Sequence, residues 1–178
     1  MRYRRAVVAG GTYFFTQVTE QRRPILTVPG GIDCLRAAFR EIRQKHPFRI
    51  EAIVVLPDHL HCIWTLPEND GDYAGRWRLI KTWCTKHWPA PVPEASDATR
   101  RARGERGLWQ RRYWEHTIRD ERDFQRHFDY VHYNPVKHGY AASPATWPYS
   151  SFARAVRAGI YEPDWTCTDR DLDGIGCE

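Results

Sequence analysis

The chain has 178 residues, a formal net charge of +5 and a sequence pI near 9.1, which is enough chain for one domain with a buried core. Nothing in it approaches the roughly 18 consecutive apolar residues of a transmembrane helix, and Gly10-Gly11 ends the first apolar run too early for a signal peptide. Five cysteines (Cys34, Cys62, Cys84, Cys167, Cys177), odd in number and without C-x-x-C spacing, imply neither a disulfide framework nor a zinc knuckle; reduced cytoplasmic thiols are expected.

The positive charge is clustered. Arginines group at Arg2, Arg4 and Arg5, at Arg76 and Arg78, at Arg100, Arg101, Arg103 and Arg106, and at Arg111 and Arg112. Eight Trp and nine Tyr are interleaved with them. Arg meets phosphate with a planar fork and aromatic rings stack on bases, so nucleic acid is the expected partner, ahead of a membrane surface.

Residues 11–19, aromatic and β-branched, predict the first strand. After a loop with Pro24, Pro29 and Gly30-Gly31, residues 32–46 predict a helix, with Leu35, Ala38, Phe39 and Ile42 on one stripe and Pro47 as its stop. Strands follow at 48–56 and 59–66, close enough for an antiparallel hairpin across Pro57-Asp58. A second helix spans about 72–87, with Tyr73, Trp77, Ile80 and Cys84 inward and Arg76, Lys81 and Lys86 as candidate DNA contacts. Residues 89–107, with three prolines, predict a mobile basic loop, and 108–118 a fourth strand. A third helix opens at 119–121 and reaches at least Tyr133, breaking at Asn134 if the preference of pre-proline residues holds at Pro135. Residues 1–142 are therefore expected as one domain and 143–178 as a tail that packs on it or contacts DNA. The order strand, helix, strand, strand, helix, strand, helix is a split βαβ pattern. It predicts an α+β, ferredoxin-like sandwich, an antiparallel sheet with helices on one face, plus the third helix and the tail.

Side chains two apart on a strand share a face, so His59 and His61 project together and Leu60 and Cys62 project oppositely. Two imidazoles on a rigid strand need only one more ligand to make a facial metal site. On the third helix, Phe124, Phe128 and Val131 form the core stripe, and His127, Tyr130, Asn134 and Lys137 form a polar stripe along its flank. Tyr133 is expected to point away from the core. A divalent ion on His59, His61 and the Asn134 amide oxygen would polarise a phosphate, and Tyr130 would attack it.

The sequence resembles the single-tyrosine HUH transposases, and more closely the REP-associated tyrosine transposases of bacteria, over roughly residues 3–165. The resemblance is carried by GGTYFFT at the start, VVLPDHLHCIWTLP, RWRLIK, WQRRYWEHTIRDERDFQRHFDYVHYNPVKHG and WPYSSF. It implies His59, His61 and Asn134 as ligands of Mg2+ or Mn2+, Tyr130 as nucleophile, and no ATP. It also implies single-stranded DNA folded as REP hairpins as substrate, cut and rejoined through a 5′-phosphotyrosine, at the nucleoid in the cytoplasm. Relatives among insertion-sequence transposases are dimers, whereas REP-associated ones tend to be monomers, so a monomer is expected with a dimer left open. DNA contacts are expected from Arg4, Arg5, Arg76, Arg78, Lys81, Arg111, Arg112, His127 and Lys137. The 89–107 loop is longer than the family's usual connection. Two other readings stand beside this one: a REP-hairpin binding module with little or no catalysis, and a metal-free phosphoesterase using His59 and His61 as acid and base.

Overall fold

The computed structural model describes residues 7–168 together with Leu172, Gly174 and Ile175. Arg4, Arg5 and Cys177 lie outside the described residues. Four strands, β1 (Thr12–Val18), β2 (Arg49–Val55), β3 (His59–Thr65) and β4 (Trp114–Thr117), form one antiparallel sheet in the order β2-β3-β1-β4. That order and the intervening helices are the ferredoxin-like sandwich.

Helices α1 (Gly31–Lys45) and α2 (Tyr73–His87) cover one face. The alternation of β1 and β3 sends Tyr13, Phe15, Leu60, Cys62 and Trp64 to that side, against Leu35, Ala38 and Phe39 of α1 and Trp77 and Ile80 of α2. Trp64 is fully buried, stacked on Trp77 with ring centroids 4.2 Å apart and set 4.1 Å from Phe48. The carboxylate of Asp72 caps α2 by accepting from Gly75 N at 2.8 Å.

The opposite face carries Phe14, Ala52, Val54 and Ile63 and is covered by α4 (Glu121–Lys137) through Phe128, Tyr130 and Val131. The C-terminal segment completes that layer: α5 (Phe152–Arg157) adds Phe152 and Ala155, and Tyr161 packs beside them. Its approach also closes the β2 edge, since Val55 N donates to Tyr149 O and Ser151 N to Ile53 O, both at 2.8 Å.

Buried under α5, His132 donates from Nδ1 to Phe128 O at 2.9 Å and accepts at Nε2 from Ser151 Oγ at 2.8 Å. Burial pushes its pKa down to about 3, whereas the unfolded chain titrates near ~6.5. Below that pH the unfolded state binds a proton that the folded state refuses, so stability is complete above ~6.5 and falls as the pH drops towards 3. Urea midpoints are expected to show a loss on the order of 3 kcal/mol between pH 7 and pH 4. A His132→Asn variant should lose most of that slope, and an unchanged slope would assign it to other groups.

Three sequence expectations change. The fourth strand is short because only 114–117 pair with β1. Trp109 makes a single bridge to Thr19, and the exposed Arg111 and Arg112 lie between the two pairings. Residues 89–107 are not a structureless loop. They contain α3 (Ala98–Ala102), capped by Asp97, and Arg100 pairs with the buried Glu20 at 2.7 Å and with Glu105 at 2.9 Å. Finally, α4 does not break at Asn134. It runs through Pro135 to Lys137, and His138 N and Tyr140 N bond the carbonyls of Asn134 and Pro135. Burial of Asn134 and Pro135 against the sheet outweighs the local preference of the pre-proline residue.

Candidate active site

The tight turn between β2 and β3 places His59 and His61 on the face that α4 covers. Both are buried, with ring centroids 4.9 Å apart. Leu60 and Cys62 point to the α1 and α2 side, as alternation requires. Each ring is held through Nδ1. His61 Nδ1 pairs with Thr16 Oγ1 at 2.9 Å, and His59 Nδ1 with Asp58 Oδ1 at 2.6 Å. An Nδ1–H given to Asp58 turns the lone pair of His59 to Nε2, and that nitrogen is buried with no hydrogen-bond partner among the described residues.

Asp58, read from the sequence only as turn chemistry, is the group that orients His59. Burial raises its pKa, but the hydrogen bond and charge of His59 and the Arg22 guanidinium 3.0 Å away outweigh it and hold the carboxyl at about 2. Arg22 reaches it from a turn in which Gln21 and Arg22 both have positive φ, 57° and 50°. Such backbone is strained for side-chain-bearing residues and persists where surrounding contacts impose it.

From α4, Tyr130 enters this face almost wholly buried, its ring 5.2 Å from that of His61 and 5.9 Å from Phe14. Lys137, two turns on, brings Nζ to 3.4 Å from the Tyr130 hydroxyl and 4.8 Å from the ring centroid. Asn134, one turn beyond Tyr130, is fully buried. His138 joins them, its ring 5.1 Å from His59. It was missed because the helix was expected to break at Asn134. A helix continued through Pro135 puts His138 one turn after Asn134, on the same edge. Tyr133 does not point away: it is half-buried against the second core.

A second polar cluster adjoins the first through Phe14, which lies 5.5 Å from His61 and 4.9 Å from His127. His116, Asp123 and His127 bring one potential ligand atom each to within 4.8 Å of the others. Asp123 Oδ2 already takes His116 Nε2 at 2.8 Å and the Arg119 backbone N–H at 3.0 Å, so the group clamps β4 to the first turn of α4. Burial raises the Asp123 pKa, and His116 and Arg119 together bring it to about 2.

The expected DNA contacts divide. Arg78, Arg111, Arg112 and Lys137 are exposed. Lys81 is half-buried, donating to Gln17 Oε1 and Gln110 O. Arg76 is a correction: it is 3% exposed and its guanidinium is bound by Asp70 at 2.6 Å and by the carbonyls of Asp72, His46 and Pro47. His127 is a second correction, 6% exposed and bonded through Nδ1 to Asp123 O. Both belong to the scaffold. Helical spacing offered them as polar positions, but each side chain is turned inward onto protein groups, Arg76 onto Asp70 and nearby carbonyls and His127 onto Asp123 O.

A ferredoxin-like sheet with a His-hydrophobic-His strand facing a helix-borne tyrosine is the layout of the HUH transposases. No family model matches the chain. A protein of Haemophilus influenzae, provisionally named a REP-associated tyrosine transposase, is 46% identical over 164 residues, 92% of each chain. The REP-associated tyrosine transposase of Escherichia coli K12 is 43% identical over 164 residues, 92% of this chain and 89% of that protein. The solved structure of a REP-associated tyrosine transposase bound to a REP hairpin is similar at a TM-score of 0.78 and 41% identity, covering 94% of this chain and 92% of that one. The chain belongs to the REP-associated tyrosine transposase family.

Proposed function

We propose that this protein cuts and rejoins single-stranded DNA at REP-type hairpins, with Tyr130 as the nucleophile and a divalent ion, Mg2+ or Mn2+, held by His59, His61 and Asn134. The reading rests above all on the 5.2 Å approach of the Tyr130 and His61 rings on one buried face. The donor set fits such an ion: among the described residues His59 Nε2 is buried without a hydrogen-bond partner, and His61 is held through Nδ1 by Thr16. When bound, the ion would supply Lewis-acid polarisation of the scissile phosphate.

The chain's own groups carry the rest. The phenolic oxygen of Tyr130 attacks phosphorus, the Tyr130 Oη–P bond forms, and the bond from phosphorus to the 3′ oxygen breaks. The phenolic proton is balanced by the one the leaving 3′ oxygen acquires, giving a 5′-phosphotyrosine and a free 3′-hydroxyl. Because the phosphoester conserves the bond, that hydroxyl can reverse the step without ATP. Lys137 places an ammonium beside the oxygen that must become an anion, where it stabilises the developing charge. Asp58 and Thr16 keep the two imidazoles in fixed orientation.

The test is incubation with a labelled REP-type hairpin and Mn2+, followed by denaturing electrophoresis of the protein. A label-bearing covalent band, lost on adding EDTA, is the expected result. Hairpin binding with no band on any flank would leave a binding module instead, and cleavage that survives EDTA without an adduct would favour the metal-free phosphoesterase.

A further inference from the structure

The end of α4 carries a histidine that the chemistry proposed above does not use. His138 follows directly on Lys137, four residues after Asn134 and so on the same edge of the helix. It is half-buried as a residue, yet Nε2, at the tip of its ring, is buried. The tip therefore points into the protein, and the ring meets that of His59 at a centroid distance of 5.1 Å and an angle of 68°. His61 stands in nearly the same relation to His59, 4.9 Å away at 78°. Two imidazoles thus flank the one whose Nε2 lone pair is turned into this face.

We propose that His138 is a further ligand of the ion assigned to His59, His61 and Asn134; the proposal rests on that metal reading. A ring that binds an ion through nitrogen at about 2.1 Å has its centroid about 3.2 Å from the ion, so two such rings meeting at roughly 90–110° have centroids roughly 4.5–5.3 Å apart. Both pairs fall in that interval, and their planes cross steeply enough for the nitrogens to converge. His116 and His127 show the contrast. Their rings are 4.5 Å apart but only 12° from parallel, and both already bond Asp123. Lone pairs lying in parallel planes do not meet at one ion. Three imidazoles and one amide oxygen, with no carboxylate, form a nitrogen-rich set that suits first-row transition ions better than Mg2+.

The ring is also held from behind, as a metal-binding imidazole needs to be. It stacks on Tyr140, with centroids 6.1 Å apart and planes 25° from parallel. Tyr140 in turn leans on Trp147 at 5.8 Å, and Trp147 Nε1 donates to Val55 O at 3.0 Å. Val55 is the last residue of β2, four before His59. The segment after α4 therefore ties His138 to the same turn that presents His59.

The experiment loads the full chain with about one equivalent of Mn2+, without DNA, and counts the directly bound imidazole nitrogens by pulsed EPR. Three are expected in the wild-type chain, since Asn134 would bind through oxygen. In His138→Ala the count should fall to two and the Mn2+ dissociation constant should rise about tenfold or more. A urea midpoint of the metal-free variant separates loss of a ligand from loss of the fold, and the wild-type count decides the matter even if the variant does not fold. His87→Gln, which removes an exposed histidine from α2 on the other face of the sheet, should match the wild type. Two nitrogens in the wild-type chain would overturn the proposal and leave the ion on His59 and His61 standing. An unchanged count or affinity in a folded His138→Ala would overturn it equally. No bound nitrogen at all in the wild-type chain would remove the ion itself, and the metal reading with it.

Discussion

Tyr130→Phe is expected to abolish the covalent DNA adduct while leaving hairpin affinity within about twofold. The substitution removes one oxygen from a side chain that is 1% exposed, and the ring contacts to Phe14 and His61 do not depend on that oxygen. Lys137 keeps its position over the ring, 4.8 Å from the centroid, so the helix end stays anchored. The stability cost should be small, about 1 kcal/mol for one lost hydrogen bond. Strand cleavage should fall by a factor on the order of 10^4 or more, because a phenyl ring has no oxygen with which to form the bond to phosphorus. Adduct formation that persists in Tyr130→Phe would move the chemistry to another residue. A matching loss of hairpin binding would make Tyr130 a binding group.

The largest effect on stability is expected at Trp64→Ala. Trp64 lies on β3 three residues after His61, fully buried between Trp77, Phe48 and Phe15, with centroids 4.2, 4.1 and 4.9 Å away. Truncation leaves a cavity ringed by stiff aromatic side chains that cannot collapse into it, at a cost of about 3–5 kcal/mol. Set against a total of roughly 5–15 kcal/mol for a domain of this kind, that is a large share. The urea midpoint should fall sharply, with Trp64→Phe losing less than half as much. Because β3 also carries His59 and His61, adduct formation should fade together with the folded fraction. A midpoint shift equivalent to less than ~1 kcal/mol would show that the aromatic layer repacks.

Much of this molecule was legible in the chain because its signals are local. Strand alternation assigned His59 and His61 to one face and Leu60 and Cys62 to the other, and helical spacing set Tyr130 on the flank of the Phe128 and Val131 stripe. The order of elements was enough for the ferredoxin-like sheet. The family resemblance agrees with relatives 46% and 43% identical over 164 residues. What escaped depended on which local preference lost to burial. Pro135 argued for a helix end at Asn134, but the helix continues because this stretch is packed against the sheet, and His138 arrives beside His59 as a result. Arg76 looked like a surface cation from its spacing, yet Asp70 and the carbonyls of residues 46 and 47 surround it.

By itself, then, the sequence determined the element order, the side of the sheet on which the paired histidines stand, and the tyrosine helix, since each depends on a period of two or 3.6 residues. Tertiary structure alone decided which groups meet across elements. Asp58 with Arg22, Thr16 with His61, and Lys137 with Tyr130 come together from distant parts of the chain or through a fold that no local pattern encodes. Their meeting depends on strand register and on the angle at which α2 and α4 pack. Those are set by the summed burial of two aromatic cores rather than by any short stretch of residues.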